Sequence, residues 1–285
     1  MALQRVSELK FSIAKDQIDQ IRSIPYYKGS QYVSLDIEET LIFFHKRYVQ
    51  QLNDFQSVSD QTVIADIGAG FGWLSIAFAM STKAKIIAID PDKPRLEAAE
   101  KIAEILNVGD KIEWRVGMLG NLPLKDQESD VSYCVEVLEH VGRDPRTLSD
   151  LCRSTKSTIV LTTPNLWFPV IAHDTRLPFC HMLPIPVRKV YAKVFGRTDR
   201  ENDNLFWSPI SLKRNMKGFS RVSSWLHYYS YLNFQKTFPF YLPYGNGSHV
   251  SEIGQIKRIY YKIISKFKRS SHFFTPSLAG VFKRV

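Results

Sequence analysis

The feature that most constrains the fold of this chain is a glycine-rich turn between a short apolar strand and a helix. The run from Val63 to Gly72 reads VIADIGAGFG, and the helical sequence WLSIAFAM follows it. Glycines at such a turn adopt unusual backbone angles and let a ligand lie against the main chain. A second apolar strand ends at Asp90, 20 residues after Gly70, where a carboxylate can accept both hydroxyls of a ribose. The pattern predicts an open α/β sheet with its ligand at the carboxyl ends of the strands.

Short apolar runs alternate with helices from Thr62 onward. Five runs are candidate strands, several of them almost continuously apolar, as expected for strands buried on both faces of a parallel sheet: TVIADIG, KIIAID, KIEWRVG, SDVSYCVEV and STIVLTT. Helices are predicted at about 72–81, 93–107 and 145–154. Two later runs, SRVSSWLHYY and PSLAGVFKRV, are predicted as further strands. The predicted fold class is therefore α/β, with a doubly wound, seven-stranded and mostly parallel sheet.

The same pattern divides the chain into three parts. Residues 1–60 are predicted to form an N-terminal helical extension, in which residues 35–52 are one helix beside the sheet. Residues 61–163 are predicted to form the ligand-binding core. Residues 164–285 are predicted to add insertions that line a substrate pocket, together with the last strands of the same domain. This part includes a short helix at 186–199 and a basic amphipathic helix at 251–269.

Two classes of cofactor are compatible with this sequence pattern, in which a glycine turn joins a strand to a helix and the next strand ends at an acidic residue. Dinucleotide-binding folds use the spacing GxGxxG, because the third glycine allows close packing of helix and strand. Here Trp73 follows Gly72 and the spacing is GxGxG, which argues against NAD(P) and FAD. Asp66, just before the first glycine, would repel a pyrophosphate and suits a cationic ligand.

These motifs resemble those of the class I S-adenosylmethionine-dependent methyltransferases. DIGAGFG is similar to their first motif and IIAIDPD to their second, and the resemblance is strong over residues 60–165. It implies a Rossmann-like methyltransferase fold, S-adenosylmethionine as cofactor and S-adenosylhomocysteine as product. Where many members have an aspartate after the third strand, this chain has Met118, which is expected to pack on the adenine. The implied cofactor-binding residues are Asp66, Gly68, Ala69, Gly70 and Gly72 at the amino-acid part, Asp90 at the ribose, Pro91 and Asp92 beside the adenine, Met118 and backbone groups near Leu119, and Glu136 at the cofactor edge.

An acidic and histidine-containing cluster follows the fourth strand. The run Glu136-Val-Leu-Glu139-His140, with Thr163-Pro-Asn after the fifth strand, resembles the ubiquinone-biosynthesis O-methyltransferase-like group. In some relatives such a cluster and a later histidine bind a divalent metal that lowers the pKa of the acceptor oxygens. The metal alternative would use Glu136, Glu139 and His140, with Asp203 or His173 as the later ligand. The favoured interpretation has no metal.

A hydroxyl acceptor must lose its proton during methyl transfer. A histidine, with an ordinary pKa near 6.5, is a suitable general base. His140 is the first candidate and His173 the second, with His181 from the same insertion as a further one. A structural histidine bound to a backbone carbonyl is the alternative interpretation for each of them.

The charge of the chain is unevenly distributed. Residues 1–150 carry 17 basic and 23 acidic side chains, whereas residues 151–285 carry 21 and 5. A basic and aromatic second half favours an anionic or amphiphilic partner. The basic 251–269 helix predicts peripheral contact with a membrane, and an ordinary surface helix packed on the domain is the alternative. Nucleic acid is disfavoured as a partner, because the basic residues are dispersed among apolar ones and no RNA-binding module is present.

The predicted function is S-adenosylmethionine-dependent O-methylation of a lipid-like, glycan or secondary-metabolite small molecule. An RNA methyltransferase assisted by metal, and a catalytically degenerate cofactor-binding protein, are the alternatives. Three cysteines without CxxC spacing favour a reducing compartment, and neither a secretory signal nor a membrane-spanning run is recognised. The predicted location is the cytoplasm, with peripheral attachment to a membrane as an extension of that prediction.

Overall fold

The computed structural model describes residues 11–171, 175–197, 204–223 and 255–285. Within these ranges, the strands form a seven-stranded sheet in the order β3-β2-β1-β4-β5-β7-β6. Strand β7 is antiparallel to β5 and β6, and the other neighbours are parallel. The predicted fold class is confirmed. The strands are β1 (Val63–Ile67), β2 (Lys85–Asp90), β3 (Ile112–Val116), β4 (Ser129–Val135), β5 (Thr155–Thr162), β6 (Phe219–Ser223) and β7 (Gly280–Arg284).

The order of strands reverses between β1 and β4, which are hydrogen-bonded neighbours. At such a switch point the loops leave the sheet in opposite directions, so a crevice opens beyond the carboxyl ends of the strands. The glycine turn follows β1 and the acidic cluster follows β4, so both border this crevice. The helices of the described ranges are α1 (Lys15–Ser23), α2 (Pro25–Lys28), α3 (Ile37–Phe44), α4 (Gln50–Leu52), α5 (Trp73–Ser81), α6 (Lys93–Ile105), α7 (Pro145–Ser154), α8 (Ile185–Val194), α9 (Pro209–Asn215) and α10 (Gln255–Ile264).

Two central helices begin where side-chain caps predict them to begin. Asp92 Oδ1 accepts a hydrogen bond from Arg95 N at 3.1 Å ahead of α6, and Asp144 Oδ1 accepts one from Arg146 N at 2.9 Å ahead of α7. Each helix also has a proline in its first turn, where no amide hydrogen is needed. The predicted helix positions at 72–81, 93–107 and 145–154 are confirmed to within two residues.

The N-terminal extension departs from the single helix predicted over residues 35–52. Helix α3 ends at Phe44, a π-helical turn covers His45–Val49, and α4 follows. The turn presents the Tyr48 carbonyl to the buried Tyr133 hydroxyl of β4, which donates to it at 3.0 Å. Side chains of the extension share one hydrophobic core with those of β1, β2, β4 and α5, so the extension is part of the folded domain.

The C-terminal part contains the two later strands. Of the run predicted as SRVSSWLHYY, the described residues form β6 up to Ser223, and residues 224–254 lie outside the described ranges. The helix predicted at 186–199 is α8, at 185–194. The helix predicted at 251–269 is α10 from residue 255, and a 3-10 segment, Ser265–Phe274, continues it. No helix in the described ranges combines the length and the apolarity needed to cross a bilayer.

Candidate functional site

The turn after β1 holds three glycines in the left-handed region. Gly68, Gly70 and Gly72 have φ angles of +75°, +59° and +73°, which favour glycine over residues with a Cβ. The amides of Gly68 and Ala69 donate to the Ile89 carbonyl of β2 at 2.8 and 3.0 Å. These bonds fix the turn against the neighbouring strand.

The three glycines differ in what surrounds them. A Cβ on Gly68 would lie 2.3 Å from Val137 Cγ2, and one on Gly72 would lie 2.8 Å from the Trp114 ring. These two glycines therefore allow close packing. A Cβ on Gly70 would meet no atom within 4 Å. The main chain at Gly70 faces open space, so the turn has room for a ligand on that side.

Aromatic rings of the N-terminal extension pack around Phe71 in the same turn. The Phe71 ring lies 6.1, 5.0 and 5.7 Å from the rings of Tyr26, Tyr27 and Tyr32. The Trp73 indole packs on Tyr27 at 6.0 Å and is buried. The bulky indole therefore lies against the extension and leaves the space over Gly70 clear.

The Asp90 carboxylate connects the first and second motifs. Its Oδ2 accepts from Gly70 N at 2.8 Å and its Oδ1 accepts from Asp92 N at 2.9 Å. The side chain is buried at the carboxyl end of β2. Two backbone donors hold it in one orientation, and each oxygen has a further lone pair for a ligand hydroxyl. Pro91 is exposed beside it, and Asp92 accepts from the Tyr26 hydroxyl at 2.5 Å.

Asp66 is buried in β1 below the turn. Its Oδ2 accepts from Ser75 Oγ of α5 at 2.7 Å. Burial raises the pKa of Asp66 to about 6, and the bonds from Ser75 oppose that shift. A cation bound above the turn would favour the charged form of this carboxylate.

The segment after β3 borders the same space. Gly117 N donates to the Asp90 carbonyl at 3.2 Å, and a Cβ on Gly117 would lie 2.4 Å from Pro123 Cδ. The Met118 side chain is half exposed and can pack on a planar ring, whereas the Leu119 side chain is buried in the core. Only the backbone of Leu119 is available to a ligand.

The cluster after β4 contains a carboxyl pair. Glu139 is 3% exposed, and its Oε2 accepts from Thr163 Oγ1 at 3.0 Å. Burial, then the charge of Glu136, raises the pKa of Glu139 well above its ordinary range, and a hydrogen bond between the two carboxyls adds to the shift. The protonated form of Glu139 is therefore favoured relative to that of an exposed glutamate. His140 follows at the surface, where its amide donates to the Val137 carbonyl at 3.0 Å.

The residues that the structure describes give the metal alternative no support. In the described ranges, no three His, Cys, Asp or Glu side chains are arranged to hold a metal ion, and Glu136, Glu139 and His140 do not form such a set. Burial and the charge of Glu136 raise the pKa of Glu139, which opposes the charged form that a metal needs, and its Oε2 already accepts from Thr163 Oγ1. Asp203 and His173, proposed as the later ligand, lie outside the described residues.

The candidate bases differ in their surroundings. His140 is exposed next to the crevice. His173 lies outside the described residues. His181 is buried, its Nε2 lies 3.0 Å from the Leu166 carbonyl, and burial lowers its pKa. The structural interpretation fits His181 best.

Several residues that shape the site carry no motif signal. Thr163 was noticed only as part of a family-like run, yet it binds Glu139. Asn165 anchors the C-terminal segment, since its Nδ2 donates to the Thr275 carbonyl at 2.9 Å. Trp114 and Val137 pack against the glycine turn. Such contacts join segments that are distant in sequence. The only signal for them in the sequence is that residues directly after a strand end tend to lie at the ligand-binding edge of the sheet.

Replacing Glu139 with glutamine tests the neutral carboxyl through stability. The pKa of Glu139 in the folded protein lies above the ordinary value of 4.5. Its contribution to the free energy of unfolding is therefore complete below pH 4.5 and is lost as the pH rises through the folded pKa. Glutamine stays neutral. Glu139→Gln is expected to differ least from the wild type at pH 4 and to gain stability relative to it as the pH rises to 8. Urea unfolding at both pH values measures this difference.

The matched control is Glu100→Gln, at an exposed glutamate of α6. Its stability relative to the wild type is expected to be the same at both pH values. An equal pH dependence in the two variants would show that Glu139 is charged in the folded protein.

Comparison with known proteins supports a methyl-transfer role for this arrangement. Residues 64–158 match a family model described as a methyltransferase domain. This stretch contains the glycine turn, Asp90 and the carboxyl pair. No curated protein matches the chain significantly in sequence.

The solved structures with a similar fold include two structures of geranyl diphosphate methyltransferases. One, in complex with GPP and sinefungin, has a TM-score of 0.50 and 14% identity, over 83% of this chain and 76% of that chain. The other is the C-methyltransferase from Streptomyces coelicolor A3(2), with Mg²⁺, geranyl-S-thiolodiphosphate and S-adenosyl-L-homocysteine. It has a TM-score of 0.50 and 14% identity, over 83% of this chain and 74% of that chain. At this identity the likeness concerns the fold.

Proposed function

We propose that this S-adenosylmethionine-dependent methyltransferase O-methylates a hydroxyl of a small molecule that is lipid-like, a glycan or a secondary metabolite. The enzyme class rests on the methyltransferase domain at residues 64–158. The observation that carries the cofactor position is the open space over Gly70, beside a carboxylate held by two backbone amides.

The residues around the glycine turn fit the cofactor in chemical type. The main chain of Gly68, Ala69 and Gly70 would hold the amino-acid part, with Gly72 shaping the turn and Asp66 supplying negative charge below it. When bound, the cofactor supplies a methyl group on a sulfonium. The remaining assignments are Asp90 for the ribose, Pro91 and Met118 for the adenine, the backbone near Leu119 for its edge, and Glu136 for the edge toward the acceptor.

The acceptor side needs a residue that takes a proton. His140 is exposed at the crevice, directly after the Glu136–Glu139 pair, and we assign it as the general base. His173 is the second proposed base. The protein's main contribution is to hold the acceptor oxygen in line with the methyl group, since correct placement alone supplies much of such an acceleration. The likeness to the ubiquinone-biosynthesis group supports an oxygen acceptor.

The insertion after β5 supports an apolar acceptor. The Trp167 ring is partly exposed and lies 5.7 Å from the Phe273 ring. We further propose that the enzyme works in the cytoplasm and that residues 251–269 contact a membrane, because this stretch is basic and amphipathic. Free, buried Cys134, Cys152 and Cys180 suit a reducing compartment.

The acceptor class is tested by following the transfer of labelled methyl groups. The protein is incubated with labelled S-adenosylmethionine and a membrane lipid extract, a water-soluble metabolite extract or total RNA, with and without EDTA. Label is expected in a small molecule, and it is expected to survive EDTA. Labelled RNA, or activity lost in EDTA, would contradict the proposal. Absence of S-adenosylhomocysteine with every extract would favour a degenerate enzyme.

The role of His140 is tested with the acceptor found in that screen. His140→Ala is expected to lower kcat about 100-fold, the scale of a lost general base, while the Kd for S-adenosylmethionine stays within twofold. Unchanged kcat would exclude His140 as the base and leave His173 as the candidate.

A further inference from the structure

We infer that an exposed apolar surface beside the site docks on an anionic lipid bilayer. This surface, called the platform below, consists of α8 with Phe195 and of α10 with the 3-10 segment Ser265–Phe274. It extends the contact proposed for residues 251–269 to a second helix, far away in sequence. The inference concerns binding alone, so it does not require that the acceptor be identified.

Helix α8 exposes the side that a surface helix normally buries. Val187, Val190 and Val194 are 50%, 64% and 72% exposed, whereas Arg188 and Ala192 are buried. Residues spaced by three, four and seven lie on one helix face. Phe195 is exposed directly after them. A cluster of large apolar side chains in solvent is typical of an interaction surface.

Helix α10 repeats this arrangement. Ile256, Ile259 and Ile263 are 87%, 59% and 53% exposed, whereas Ile264 is buried. The 3-10 segment continues the apolar face with Phe267 and Phe274, whose exposed rings lie 5.3 Å apart. The Tyr260 hydroxyl donates to the Phe274 carbonyl, which ties the helix to the end of that segment.

The two parts of the platform adjoin one stretch of chain, residues 165–169. On the α8 side, Phe179 N donates to the Pro169 carbonyl at 2.7 Å, and the 3-10 turn at residues 180–182 contacts α8. On the other side, the Trp167 ring meets Phe273 at 5.7 Å. This stretch leaves the carboxyl end of β5. Both parts of the platform are therefore connected to the chain segment that leaves the sheet beside the candidate site.

The basic side chains of the platform favour an anionic membrane as the partner. Residues 175–197 and 253–285 contain no aspartate or glutamate. Exposed basic side chains accompany both helices: Lys189, Lys193, Arg197, Lys262 and Lys266. Each Lys or Arg near an anionic membrane contributes about 1 kcal/mol of attraction, and the apolar face can insert between headgroups and acyl chains. A second copy would oppose like charges, and RNA would leave the exposed valine and isoleucine side chains of both helices without an apolar partner.

Sedimentation of the full-length protein with vesicles tests the inference. Phosphatidylcholine vesicles are compared with vesicles containing 30% phosphatidylglycerol, about the anionic content at which surface attraction becomes substantial. The wild type is expected to bind the anionic vesicles at least about tenfold more strongly. Val190→Asp on α8 and Ile259→Asp on α10 should each weaken that binding at least about tenfold.

The matched control is Ile210→Asp, which places the same charge on an exposed apolar residue of α9. It should bind vesicles within twofold of the wild type. Calorimetry with S-adenosylmethionine on each variant reports the cofactor site separately, so failure of docking and failure of the proposed function are distinguishable.

Three outcomes would overturn the inference. The first is no preference of the wild type for anionic vesicles, or wild-type binding by Val190→Asp. The second is a dimer in gel filtration that Val190→Asp makes monomeric, which would make the platform an interface between copies. The third is retention by single-stranded RNA without retention by vesicles.

Discussion

Replacing Gly70 with valine is expected to lower the affinity for S-adenosylmethionine about a thousandfold, or about 4 kcal/mol. The space that a side chain would enter at Gly70 is free of protein atoms to 4 Å, and it is the space assigned to the cofactor. The valine side chain would therefore clash with the bound ligand and would not disturb the packing of the core. Isothermal titration calorimetry measures the affinity, and circular dichroism checks the fold.

Gly196 offers a matched control for this substitution. Its φ of +64° is close to the +59° of Gly70, and a Cβ there also meets no atom within 4 Å. Valine at either site stores similar strain, about 1–2 kcal/mol, but Gly196 follows α8, away from the turn. Gly196→Val is expected to keep wild-type affinity. If the two variants had equal affinity for S-adenosylmethionine, the cofactor would not occupy the space over Gly70.

Replacing Asp90 with alanine is expected to have an effect of the same size. Two ribose hydroxyls bonded to a carboxylate contribute about 1.5–3 kcal/mol each, and the change also frees Gly70 N and Asp92 N from their acceptor. Affinity for S-adenosylmethionine should fall about a thousandfold. Calorimetry with S-adenosylhomocysteine should show the same loss, because both molecules contain the ribose.

Asp130→Ala separates this loss from general destabilisation. The Asp130 Oδ2 accepts from Val63 N at 2.9 Å, so it also binds a backbone amide of β1, but at the opposite end of the strand. This variant should lose stability and keep its affinity. If the wild type bound NADH but bound neither S-adenosylmethionine nor S-adenosylhomocysteine, the assignment of the cofactor would be wrong.

The fold was predictable because its signals are local. Apolar runs mark the strands, and caps such as Asp92 and Asp144 mark the starts of α6 and α7. The π-helical turn at 45–49 was not predictable, because it accompanies a distant contact between the Tyr48 carbonyl and Tyr133. Local pattern gives no information about such a partner.

The proximity of the two motifs in the candidate site was predictable, whereas the environment of its carboxyl pair was not. Gly70 and Asp90 were recognised from spacing, and the structure joins them by a hydrogen bond. Glu139 was considered as a metal ligand, whereas burial and the nearby charge of Glu136 raise its pKa, against the opposing hydrogen bond from Thr163. Burial of a charged residue type depends on strands that meet only in the folded chain, so its protonation could not be deduced from the motif.

The three tyrosine rings around Phe71 have a thermodynamic consequence. They belong to the extension, whereas Phe71 belongs to the loop that is proposed to hold the cofactor. Ligand occupancy and docking of the first helices are therefore linked equilibria, and each must strengthen the other by the same factor. A truncated chain starting at β1 would lose the rings that pack on its own binding loop, so its affinity for the cofactor should fall.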